Sequence, residues 1–270
     1  MKLMRFAGLS VALFIIFSTS AYALDTKTTG EFDDSKVDLG SVGARYIPAA
    51  KKRVKTRVQN GTSKYDYDLF GRDDYEYFPL QLGNGNYKVT IFENVIENRY
   101  RQVKIRDVKL ELNDSLSVYT ASIQTVSWND EMAIIKKAGE LSKELKTDKQ
   151  KIEAIYSYVI KTLSYDYNKI KKIDTTYVPN IEQVMKDGKG ICYDYAAVLA
   201  GMLRSQNIPT KLIKGYSDNI KGYHAWNEVY IVNEKRWMVV DTTYDAVMKK
   251  SGKAVKMEKE KGKYKSNREY

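Results

Sequence analysis

The chain has 270 residues, 43% of them hydrophobic and 29% charged, a composition that excludes disorder over the whole length and supplies enough apolar surface for a sizeable core. Its formal net charge of +11 is unevenly spread: Lys2 and Arg5 precede an apolar run, residues 249–270 carry 9 Lys/Arg against 3 Glu, and only +3 is left for everything between. So nearly neutral a body argues against a nucleic-acid partner, because a nucleic-acid groove needs basic and aromatic residues interleaved on one face.

Residues 1–23 combine a basic start, an apolar run over 6–17 and the small-residue exit Ala21-Tyr22-Ala23. That layout predicts a secretory signal peptide cleaved after Ala23 and a secreted or cell-envelope location. The alternative is an uncleaved anchor, although the run is short for a membrane span. Residues 24–40 read as a polar segment with Asp33, Asp34 and Lys36.

Period-two patterning then predicts a small antiparallel β domain over 41–126. Residues 53–58 alternate, Asn60-Gly61 is a turn signal, and 62–69 resumes the alternation, which together read as a hairpin. Gly83-Asn84-Gly85-Asn86 introduces a third run over 87–92, and Glu97-Asn98 separates it from a fourth over 100–112.

Near Val126 the period changes to about 3.6, which marks the start of a second domain, 127–248. Ile134, Ala138, Leu141 and Leu145 form one helical stripe. Thr147-Asp148-Lys149-Gln150 is a capping-box pattern opening a helix over 148–163. Asn180 caps a short helix that stops at Gly188-Lys189-Gly190. The run 191–205 is apolar on almost every side, which predicts a buried central helix with Cys192 in its first turn. Beyond Pro209 the pattern predicts strands over 210–216, 224–232 and 236–241, with a loop over 217–222 and a turn at 233–235. Residues 249–270 read as a basic tail, suited to an anionic cell-wall polymer or a membrane surface, or simply solvated.

The chain holds a single cysteine and a single histidine. In an exported protein an unpaired thiol is a buried small hydrophobe, an intermolecular linker or a nucleophile. A helix start favours the third, because the terminal peptide dipoles stabilise a thiolate. With a turn centred near Glu234, Asp241 falls opposite 225–227; if it faces Trp226, His224 is one diagonal step away on the same face. A one-residue slip would place it on the other face. Thiol, imidazole and carboxylate on successive elements are what a thiol triad requires. Asp245 is the competing carboxylate. Metal binding is not expected, since one cysteine and one histidine leave the usual zinc set two ligands short, and no cofactor is expected.

Gly190-Ile191-Cys192, His224-Ala225-Trp226 and Asp241-Thr242-Thr243 resemble the core of the transglutaminase-like superfamily, with its G-x-C at a helix start, H-A-W at a strand start and D-x-T at the end of the following strand. The resemblance runs from about Trp128 to Tyr244, and Ser164-Tyr165-Asp166-Tyr167 matches the exported bacterial branch. It implies an α+β fold, a papain-like core after the β domain. It also implies a cysteine peptidase or acyltransferase acting on peptide or protein carboxamides, with water or an amine as acceptor. By the same resemblance Cys192 is the nucleophile, His224 the base and Asp241 the residue that orients the imidazole. The backbone N–H of Cys192 and the side chain of Tyr165 are candidate oxyanion donors, and Tyr193 and Trp226 are candidate neighbours of the site. Thr242 stands where many members have proline, Tyr193 where animal transglutaminases have tryptophan, and no calcium-loop pattern occurs, so calcium-activated crosslinking is not expected. The rival reading is a catalytically silent cell-envelope binding or scaffold protein on the same fold.

Overall fold

Alternating sequence builds the N-terminal half as two antiparallel sheets. The computed structural model describes residues 30–49 and 51–270, so the expected leader lies outside the described residues. Strands β1 (Phe32–Asp33), β2 (Ser41–Ala44), β3 (Val54–Asn60), β4 (Ser63–Leu69), β5 (Glu76–Pro79), β6 (Gly85–Ile96) and β7 (Arg99–Leu110) follow in chain order. They pair as a three-stranded sheet β1-β2-β5 and a four-stranded sheet β4-β3-β6-β7. The β3–β4 hairpin turns at Gly61, whose φ of 57° lies in the left-handed region that glycine enters without a Cβ penalty. Val54 and Val58 of β3, with Val89 and Ile91 of the adjacent β6, are buried.

Residues 30–40, the described part of the segment expected to be polar, are not simply polar. Phe32 and Val37 are buried, and β1 pairs with β2 in the register Phe32↔Ala44. The intervening charges are each partnered: Asp33 accepts from the Tyr77 hydroxyl at 2.6 Å, Asp34 binds Arg106, and the Lys36 ammonium lies 3.8 Å from the centre of the Tyr77 ring. Two apolar anchors were enough to fold a stretch whose average composition is hydrophilic.

The second half comprises α1 (Ala133–Ser142), α2 (Asp148–Thr162), β8 (Ser164–Tyr165), α3 (Ile181–Asp187), β9 (Lys189–Gly190), α4 (Cys192–Arg204), β10 (Thr210–Ser217), β11 (Ile220–Ile231), β12 (Arg236–Val240), α5 (Thr242–Lys250) and β13 (Tyr264–Glu269). Its antiparallel sheet has the order β12-β11-β10-β13, giving an α+β architecture. At the start of α2 the Thr147 hydroxyl accepts from Gln150 N and the Gln150 side chain accepts from Thr147 N, the reciprocal cap its sequence predicts. α1 ends at Ser142, short of Leu145. Along α4 every residue except Cys192 is buried, and each fully buried leucine there contributes about 1.5–3 kcal/mol.

Two expectations about the second half are corrected. The loop expected over 217–222 is only a tight turn, and β11 begins at Ile220, so His224 sits inside a strand rather than at its start. Gly222, at φ 100°, lets that strand begin early. The basic tail is also not a free tail: α5 extends to Lys250, Val240 bridges Glu258, and β13 adds to the sheet beside β10. A Cβ at Gly215 would lie 2.0 Å from Lys265 O, so the close approach of β13 depends on that glycine. The apolar members Tyr264 and Tyr270 are buried, which fixes the segment despite its lysines. Arg204 is buried as well, and its guanidinium donates to Thr210 O, Ala121 O and Tyr270 O, tying α4, β10, the inter-domain stretch and the C-terminal strand together. Tyr270 packs on Tyr65 and Tyr67 of β4, so the last strand also contacts the β domain.

Candidate active site

Cys192 is the first residue of α4 and is partly exposed at the end of an otherwise buried helix. The turn before it is held from behind. Asp194 Oδ2 accepts from Ile191 N at 2.8 Å, Lys169 Nζ lies 2.7 Å from the same oxygen, and the Tyr177 hydroxyl donates to Oδ1. A Cβ at Gly190 would lie 2.7 Å from the Asp194 side chain, so the glycine before Cys192 makes room for this carboxylate. A cavity of about 750 Å³ lined by Lys169 and Tyr177 abuts the network, without reaching Cys192, His224 or Asp241.

The sheet presents the other two groups. β11 and β12 pair with Asn227 opposite Val240, so the next step sets Asp241 opposite Trp226 and leaves His224 one diagonal away on the same face. His224 Nε2 lies 2.9 Å from Asp241 Oδ2, which leaves Nδ1 for the thiol, and Cys192 is near enough to act on the imidazole. His224 is 2% exposed and Asp241 0%. Burial alone would lower the imidazole pKa, but the hydrogen bonds to Asp241 and Cys192 and the charges on both outweigh it and push it up to about 9.

Asp241 is held in place by two further contacts: its Oδ1 accepts from Tyr244 N at 3.0 Å, capping α5, and the Tyr264 hydroxyl donates to Oδ2 at 3.1 Å. Asp245, one turn on, faces elsewhere. It accepts from the Tyr156 hydroxyl at 2.7 Å and pairs with Lys259.

The remaining sequence candidates separate. Tyr165 belongs to β8, which runs parallel to β9 with Tyr165 opposite Gly190; burial, and after it the charge of Cys192, push its hydroxyl up to about 12. Trp226 is buried with its ring 6.2 Å from His224, nearly parallel to it. Tyr193 packs against Tyr177 and under Lys214, whose Nζ is 3.5 Å from its ring centre. Lys214 itself was not singled out in the sequence. Burial, with Arg268 adding to it, holds its ammonium down at about 8 against the opposing pull of Cys192. Tyr264 was also missed, since it lay in a stretch read as tail. Asp194 carried a legible signal, an acid three residues after the helix N-cap.

A helix-start thiol beside a strand imidazole and a strand-end carboxylate places the second half among cysteine-centred α+β domains. Residues 135–242 match the model of the transglutaminase-like superfamily, so this part of the chain is a domain of that superfamily. The chain is 25% identical over 200 residues to the UPF0252 protein MJ1282 of Methanocaldococcus jannaschii, covering 62% of this chain and 57% of the relative; it thus spans little more than half the length of that curated relative. Among solved structures it is similar to a candidate cysteine protease from Cytophaga hutchinsonii, with a TM-score of 0.41, 13% identity, and coverage of 76% of this chain and 74% of that one. It is also similar to red sea bream transglutaminase, with a TM-score of 0.32, 12% identity, and coverage of 79% and 48% respectively.

Proposed function

We propose that the chain is an exported cysteine-dependent enzyme that transfers the acyl group of a peptide or protein carboxamide to water or to an amine. The observation that carries this reading is the buried His224 imidazole bonded to Asp241 at 2.9 Å, with the Cys192 thiol at the start of α4 near enough to act on it. The Cys192 thiolate attacks the carbonyl carbon. The oxyanion that forms is held by the Cys192 backbone N–H, which has no intrahelical acceptor in the first turn, and by the Tyr165 hydroxyl. His224 gives its proton to the departing amine as the C–N bond breaks, leaving a thioester on Cys192. In the second half-reaction His224 removes a proton from the incoming water or amine, which displaces the sulfur and restores the pair. Asp241 keeps the ring oriented and supports its positive charge. Trp226 walls one side of the imidazole and limits water there. Export follows from the leader read in residues 1–23.

The test is alkylation of Cys192 by iodoacetamide followed by intact mass spectrometry across pH. The expected result is labelling well below pH 8 that is ~10²-fold faster than in His224→Ala, the lower end of what a positioned acid–base group contributes. Equal, slow labelling in both proteins would make Cys192 an ordinary thiol and return the chain to the binding-protein reading.

A further inference from the structure

On β10 and β13, Lys214 stands directly opposite Arg268. Like charges facing each other across strands oppose pairing, and elsewhere in the molecule such positions are neutralised: Arg57 faces Asp66 and binds it at 2.6 Å. Among the described residues neither Lys214 nor Arg268 has a carboxylate within ion-pairing distance. What surrounds them is aromatic. The Lys214 ammonium lies 3.5 Å from the Tyr193 ring centre and 5.3 Å from that of Tyr270, and the Arg268 guanidinium lies 5.8 Å from the ring centre of Tyr65. The ring faces ease the burial of cations, but they accept none of the three hydrogens of an ammonium. On the same face, exposed Tyr216 and Tyr223 meet edge to face at 5.5 Å.

The position of the pair matters as much as its charge. Lys214 lies beside the first turn of α4: its ammonium covers Tyr193, which follows Cys192, and it is near enough to Cys192 to feel its charge. An anion bound there would sit beside the reacting sulfur.

We infer that Lys214 and Arg268, within the walls of Tyr193, Tyr216, Tyr223 and Tyr270, form a subsite beside Cys192 for a carboxylate of the acyl donor, so that the substrate is an acidic peptide amide. This inference rests on the enzymatic reading above. Arg268 supplies a planar fork that matches a carboxylate, and Lys214 a point charge nearer the thiol. The tyrosine edges line the path of the adjoining chain.

The test compares alkylation of Cys192 by iodoacetate, which carries the carboxylate, with alkylation by neutral iodoacetamide, in the wild type, Lys214→Met and Arg268→Met. The readout is the ratio of the two rate constants, which cancels any change in thiolate content because both reagents meet the same sulfur. The expected result is a ratio ~10-fold lower in each variant than in the wild type, at low salt, as expected when an attracting charge beside a site is removed. Arg268 is exposed, so its variant decides the matter even if Lys214→Met does not fold. Ratios equal in all three proteins would overturn the subsite while leaving an activated Cys192 intact. Alkylation of the wild type by both reagents at the pace of glutathione would instead overturn the enzymatic reading, and this inference with it.

Discussion

The two four-stranded sheets differ in how they hold charge, although Lys211 of β10 and Glu269 of β13 also pair, at 2.9 Å. In β4-β3-β6-β7 the cations of one strand meet carboxylates of the next, as Arg57 meets Asp66 and Arg53 meets Asp68, at 2.6 and 2.7 Å on a partly exposed face. In β12-β11-β10-β13 an imidazole and a carboxylate are buried together, and two cations face each other without an acid. The first arrangement leaves nothing for a ligand to complete. The second places ionisable groups where water is scarce and their protonation states are set by one another, which costs stability and confers reactivity. On the proposed function the contrast makes the first sheet a support and the second the carrier of the chemistry.

The largest effect that would sharpen this contrast comes from two carboxylates one turn apart at the head of α5. Asp241→Asn should lower Cys192-dependent turnover ~10³-fold or more, since it removes the charge that supports the imidazolium, and the stability that charge lends through His224 should be lost with it. Asp245→Asn should act on stability alone, destabilising the fold by about 3 kcal/mol through the stranded Lys259, with Cys192 alkylation largely preserved. Denaturation midpoints measured alongside alkylation rates separate the two; equal loss of reactivity in both variants would erase the distinction between them.

A second difference lies in pH dependence. The folded-state pKa of His224, about 9, is raised above its usual 6.5, so its contribution to stability is fully present below about pH 6.5 and is lost as pH rises through 9. For a shift of this size that contribution is about 3 kcal/mol. Lys214 has the opposite sign, because its folded pKa of about 8 is depressed, and it penalises folding below pH 8, an effect relieved as pH rises toward its unfolded value. Urea midpoints should therefore fall between pH 6.5 and 8, before the lysine compensates. His224→Ala should flatten that fall, and an unchanged slope would remove the imidazole from the stability account. The smallest expected effect belongs to the supporting sheet. Arg57→Gln should cost about 0.5 kcal/mol in urea unfolding and leave the alkylation rate of Cys192 as it was; a larger effect on reactivity would mean that the β domain does more than support.

Local pattern alone placed the β3–β4 hairpin, the Thr147 cap, the Asn180 cap and the buried helix that begins at Cys192. It also put Asp241 opposite the stretch 225–227, because a short turn leaves few registers, though the choice among them was left open. Each of these rests on interactions between residues close in sequence, where period, caps and turn chemistry are sufficient. The tertiary structure decided what depends on distant partners. Phe32 and Val37 draw a hydrophilic-looking segment into a sheet, and Tyr264 and Tyr270 carry a lysine-rich stretch onto β10, since a few apolar side chains buried against remote surfaces outweigh average composition. The same step brings Arg268 opposite Lys214 and Tyr264 against Asp241, 54 and 23 positions apart in the chain. The sequence by itself determined which thiol and imidazole could react, by holding one of each; only the folded sheet decided which charges surround them, because a charge acts through space and not along the chain.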